Sequence, residues 1–150
     1  MAEKPEWAQR LTEQNKRITR RAFEEVLEGE DYEALEELYA EDFLKHGGLA
    51  GSTEGQDAFA EYVRNLHEAF PDFTVTEELC TCAGDFVTTV NTHRGTHDGS
   101  FRGVEPSGNE FEVVTIVVNR VTDGKITEAW VQADTLALLQ QIGVVELPNE

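Results

Sequence analysis

The stretch "ITEAWVQADTLALLQQIG", residues 126–143, decides how the fold is read. Its first half alternates: Trp130, Gln132 and Asp134 share one face, and Ala129, Val131 and Ala133 share the other, the two-residue period of a strand. Its second half, "TLALLQQIG", spaces its leucines as a helix does and ends on Gly143, so a strand runs directly into a helix. Asp134 stands at the junction. Aspartate is among the best helix N-caps, and a carboxylate facing a pocket can also be a working base; both readings are open at this point. Just upstream, "VTDGKI" carries Asp123-Gly124, a pair that tolerates the positive φ angles of a tight hairpin and so pairs this strand with the one before it.

Outward from there the period stays at two. "FTVTEELCTC" (73–82), "DFVTTVNTHRGTH" (85–97), "EFEVVTIVVNRVT" (110–122) and "KITEAWVQAD" (125–134) read as strands separated by glycine-containing turns. Before residue 72 the period is helical. Trp7, Leu11, Ile18, Ala22 and Val26, joined by Phe23 and Leu27, form one stripe, and Asp31 caps a short second helix that buries Leu35, Leu38 and Tyr39. "DFLKHGGLAG" (42–51) reads as a short strand and a glycine loop. A third helix follows, capped by Ser52 or Thr53, with Ala58, Phe59, Tyr62, Val63, Leu66 and Phe70 buried and His67 on the surface. Helices first and an antiparallel sheet second define an α+β domain spanning 1–150, with 144–150 as a tail and the helices packed on one face of a strongly curved sheet.

The chain has 150 residues, 39% of them hydrophobic, enough for one core with a pocket. No run approaches the roughly 20 apolar residues that span a bilayer, and the polar N-terminus lacks a signal-peptide core, so a cytoplasmic location is expected. Asp and Glu total 30 against 12 Lys and Arg, a net charge of −18. Such a surface repels nucleic acid and anionic membranes, excluding both as partners, and it suits a high-salt, halophilic cytoplasm. Cys80 and Cys82 are two residues apart on one strand, in poor geometry for a disulfide and too few for a metal site, so they read as reduced strand residues.

The candidate site comes from the alternation. Asn91, His93 and His97 share a strand face with Val87 and Thr89. If the inner face of the sheet also carries Trp130, Gln132 and Asp134, a cup results in which apolar walls surround a few polar groups, the composition of a small-molecule pocket. Phe59 and Tyr62 of the third helix complete its wall. Each polar group also has a plain alternative: a cap for Asp134, a turn residue for His97, a strand end for His46, and a satisfied strand histidine for His93. Val114, Ile116 and Val118 on one side of a strand suggest a homodimer face.

Taken in order, "YAEDFLKH", "FPDF", "RGTHDGSFRG", "NRVTDGKITEAW" and "WVQADTLALLQQIG" resemble the SnoaL-like polyketide cyclases, or ester cyclases, from the first helix to Gly143. The resemblance implies the cone-shaped α+β fold of nuclear transport factor 2, ketosteroid isomerase and scytalone dehydratase. It further implies metal- and cofactor-independent aldol chemistry on an apolar, carbonyl-containing ligand, with Asp134 as the base and His97 and His46 as its pocket histidines. The chain departs from the family at Ser107, where a threonine is common, and at Val117, where many members carry an aspartate. A buried Asp134 beside Trp130 would have a raised pKa and be a stronger base, with a histidine donating to the enolate oxygen. Isomerase or dehydratase chemistry uses the same proton abstraction. The alternative from another class is a ligand-binding or dimeric interaction module that catalyses nothing.

Overall fold

The computed structural model describes residues 3–148. Helix α1 (Glu6–Arg21) has Glu6 in its first turn and Arg20 and Arg21 in its last, matching the helix dipole. It continues without a break into a π-helical segment, Ala22–Glu28, which buries Ala22, Phe23, Val26 and Leu27. The predicted stripe is covered only from Asn15 onward: Trp7 and Leu11 are exposed, whereas Asn15 and Ile18 are buried. Asp31 caps α2 (Tyr32–Leu38) by accepting from the Ala34 N–H at 3.0 Å.

The six strands β1 (Tyr39–Gly47), β2 (Thr53–Glu54), β3 (Thr74–Ala83), β4 (Phe86–Thr96), β5 (Glu110–Thr122) and β6 (Lys125–Ala133) form one curved, unclosed sheet in the order β2-β1-β6-β5-β4-β3. The sheet is antiparallel except where β1 lies parallel to β6, since the chain crosses to the far edge for β3 and meanders back until β6 reaches β1. Register shifts between Glu77 and Leu79 and between Arg120 and Val121 supply local bends of the kind that curve a sheet.

Helix α3 (Gln56–Ala69) begins later than the sequence suggests. Thr53 and Glu54 pair with Lys45 and Leu44 of β1, so neither Ser52 nor Thr53 caps the helix and Gly55, at φ 88°, takes that place. His67 is buried, not on the surface, with Nε2 2.7 Å from the Leu27 carbonyl and Nδ1 3.2 Å from Glu30. The end of β4 is fastened to the end of α3, because the Asp98 and Gly99 N–H groups both donate to the Ala69 carbonyl. A side chain at Gly99 would meet the Glu68 carbonyl at 1.8 Å, which is why only glycine fits there. The helices and the inner sheet face enclose Phe43, Val63, Leu66, Phe70 and Val87, each at most 1% exposed. Helix α4 (Thr135–Gln141) closes the domain, residues 144–148 follow it, and residues 149 and 150 of the expected tail lie outside the described residues.

Candidate functional site

Between the helix layer and the sheet lies a cavity of about 40 Å³, room for about one water molecule. Phe23, Phe43, Phe59, Tyr39 and Tyr62 wall it, and Val117, Ala129 and Val131 form its sheet side. Three polar residues reach it: Lys45, His93 and Asn119. The small side chains of Ala129 and Val131 leave this space open, and the aromatic rings of its wall pack on one another, Tyr39 edge-on to Phe43 and tilted against Phe59 at 4.7 Å each.

Strand parity explains Lys45. In β1, Phe43 and Lys45 point inward while Leu44 and His46 point outward, so the lysine is carried into the core and is 4% exposed. Its Nζ donates to the carbonyls of Gly47 and Gly51 and lies 3.9 Å from the centre of the Tyr62 ring. Burial alone lowers its pKa to about 8, and no opposing carboxylate acts on it among the described residues. Burial likewise pushes Tyr62 up to about 12 and raises Tyr39 far above the usual phenol range.

His93 enters from β4. Its Nε2 lies 3.0 Å from the Thr115 hydroxyl, its ring meets Phe73 edge-on at 5.1 Å, and its buried Nδ1 has no protein partner. Desolvation brings its pKa down to about 4, so at neutral pH the ring is uncharged. His97 is also fully buried. The Ser107 N–H donates to its Nδ1 at 3.2 Å, which places the ring proton on Nε2, and that atom ends without a partner near Phe70. Asn91 is buried on the same face of β4, its amide donating to Thr89, and does not line the cavity.

The sequence-predicted cup does not assemble. Asn91, His93 and His97 face inward, as alternation in β4 requires, but β6 has the opposite parity: Ala129 and Val131 point to the cavity, and Trp130, Gln132 and Asp134 are exposed on the outer face. Register fixes this, since Trp130 pairs with Val118 and Gln132 with the outward Ile116. Asp134 is exposed, and its carboxylate accepts from the Ala137 N–H at 3.1 Å as the cap of α4. The expectation of a dry hollow around Asp134 is therefore corrected: its surroundings are a shallow outer dish with Val114, Ile116 and Leu136. His46 is outside too, stacked on Trp130 at 5.5 Å and 2.7 Å from Glu128. Of the residues the sequence put in the cup, Phe59, Tyr62 and His93 line the cavity, whereas Asn91, His97, His46, Trp130, Gln132 and Asp134 do not. Lys45 was missed; the alternation of "DFLKH", with a lysine in step with a phenylalanine, was the available signal.

A helix-backed, curved α+β sheet with a small apolar cavity and a few inward polar groups defines a small-molecule-pocket domain of the cone type. Residues 17–142 match the family described as SnoaL-like polyketide cyclase, and the chain belongs to that family. Its fold is that of a proposed SnoaL-like polyketide cyclase from Jannaschia sp. CCS1, at 25% identity and TM-score 0.84, covering 97% of this chain and 99% of that one. IdmH, a proposed polyketide cyclase from Streptomyces antibioticus, is 32% identical over 87% of this chain and 99% of its own, with a TM-score of 0.77. A proposed polyketide cyclase from Bacillus cereus shares the fold at 24% identity and TM-score 0.75, covering 89% of this chain and 83% of that one. No curated protein sequence matches the chain. No helix among the described residues is long and apolar enough to cross a membrane.

Proposed function

We propose that the protein is a cyclase-type enzyme that binds an apolar, carbonyl-bearing small molecule in the interior and transfers a proton at the carbon beside that carbonyl. One observation carries this reading: the interior cavity is walled by aromatic rings and reached by His93, whose buried Nδ1 has no partner in the protein. A buried polar atom without a partner costs stability, so it fits a site whose partner is a ligand. An uncharged imidazole in such a site exchanges or donates a proton without first being stripped of charge, and Lys45 lines the same cavity within reach of a bound carbonyl. Asp134 has no part in this chemistry; it caps α4.

A second reading, binding without turnover, is favoured by the absence of any carboxylate from the cavity lining among the described residues. The test needs no knowledge of the natural substrate. Small aryl ketones are incubated with the protein in D₂O, and exchange of the α-protons is followed by NMR. Exchange faster than buffer that falls at least tenfold in His93→Phe supports the enzyme. Binding without exchange supports the second reading.

On the outer face, Val114, Ile116, Phe86 and Trp130 are exposed together. A patch of this kind is hydrophobic surface that a second copy of the chain would cover, and we propose a homodimer through it.

A further inference from the structure

We propose that Lys45 is a nucleophile that captures the ligand's carbonyl as an imine, an assignment that rests on the interior binding site described above. Four observations carry it. The amine is nearly out of solvent yet lines the cavity. No carboxylate pairs with it among the described residues, so the groups that favour its ammonium are two loop carbonyls and the Tyr62 ring, with no opposite charge. Burial between the helix layer and the sheet strips it of water, and a lysine desolvated in this way keeps a larger share of neutral amine, the reactive form. Finally, both of its acceptors are carbonyls of one glycine-rich loop, Gly47 and Gly51, and in that loop Gly47, Gly48 and Gly51 have φ of 81°, 102° and 93°.

That last point joins access to reactivity. The cavity is too small for a ketone of several carbons, so a ligand must displace part of the wall. The 47–51 loop does not itself line the cavity, but Gly48 packs behind three residues that do, Lys45, Tyr62 and Val131. Displacing the loop frees that part of the wall to move and removes the hydrogen bonds that occupy Nζ. The neutral amine then adds to the carbonyl carbon to give a carbinolamine. Loss of one water yields the imine, protonated as the iminium. The iminium nitrogen draws electrons from the adjacent carbon, whose proton passes to a base and leaves an enamine; His93 lines the same cavity and is the group placed to receive it. Reprotonation or carbon–carbon bond formation at that carbon, followed by addition of one water, regenerates the free amine. No oxidant or reductant enters.

The probe is pentane-2,4-dione, which forms a stable conjugated enaminone with a reactive amine. Intact-mass and peptide mapping of the full chain are read together with imidazole NMR of His93. The expected result is a mass gain of one dione less one water on Lys45, with Lys4, Lys16 and Lys125, none of them buried, reacting at least tenfold more slowly. Lys45→Arg keeps a cation for the loop carbonyls but has no nucleophilic amine, and it should lose the adduct while staying folded. Should that variant unfold, Lys45→Met serves, with the fold checked by circular dichroism. A His93 shift without any adduct would overturn the imine and leave interior binding standing. Adducts spread evenly over all lysines would overturn it as well. Neither shift nor adduct would overturn both the imine and the binding site.

Discussion

His46 lies flat against Trp130, ring centroids 5.5 Å apart with 21° between the planes, on the side of the sheet away from the helices. The two are direct register partners across the parallel pairing of β1 and β6, so where one faces the other must follow. Arg120 covers both Trp130 and Phe86 and reaches Glu128, which also holds His46. These side chains make a braced outer platform, and Asp134 belongs to its edge.

Asp134→Asn should therefore leave fold, ligand binding and any proton exchange unchanged within twofold, because asparagine is as good a cap. Asp134→Ala should cost about 1 kcal/mol, the usual loss of an N-cap. Urea denaturation and ketone exchange measured side by side check both; loss of exchange in the asparagine variant would return the base to Asp134.

Ile116→Glu should turn the proposed dimer into a monomer with little effect on monomer folding, since Ile116 is 47% exposed on the sheet's outer face. Sedimentation velocity gives the answer, with a monomeric wild type as the adverse outcome.

His93 predicts a pH effect with a definite sign. Its folded pKa, about 4, lies below the ordinary 6.5, so below pH 6.5 the unfolded chain binds a proton that the folded one refuses. The contribution of His93 is thus full above pH 6.5 and is lost progressively as the pH falls toward 4. His93→Phe should flatten stability over that window relative to wild type, a difference read from urea midpoints at pH 7 and pH 5.

A net charge of −18 on 150 residues makes self-repulsion a general cost of folding. Added KCl should raise Tm, steeply over the first few tenths molar, where the Debye length shrinks to a few ångströms. A Tm indifferent to KCl would remove the argument for a high-salt host.

Much of this architecture is legible in the chain. The change from helical to two-residue period after Pro71, the Asp123-Gly124 hairpin and the Asp31 cap all appear where local chemistry requires them. The site was harder, for a physical reason. Strand β5 is apolar on both faces, Val113 and Val117 inside and Val114 and Ile116 outside, and β6 sets small Ala129 and Val131 against the large Trp130, so alternation divides their residues into two sets without saying which set faces the helices. In β4 the face shared by Asn91, His93 and His97 is the inner one, and in β6 the face shared by Trp130, Gln132 and Asp134 is the outer one. The parallel β1–β6 pairing is a long-range contact with no local signature, and it is this pairing that sends His46 outward and brings Lys45 in. The π-helical run at Ala22–Glu28 likewise has nothing in its spacing to mark it.

Whether the ligand goes inside is the claim on which the rest stands, and the four histidines report on it separately. Long-range ¹H–¹⁵N spectra of the imidazoles, recorded while acetophenone is titrated in, distinguish His93 at the cavity from His46 on the outer platform. The account predicts that the His93 nitrogens shift and saturate while those of His46 stay still. Saturable shifts at His46 with His93 unmoved would contradict it.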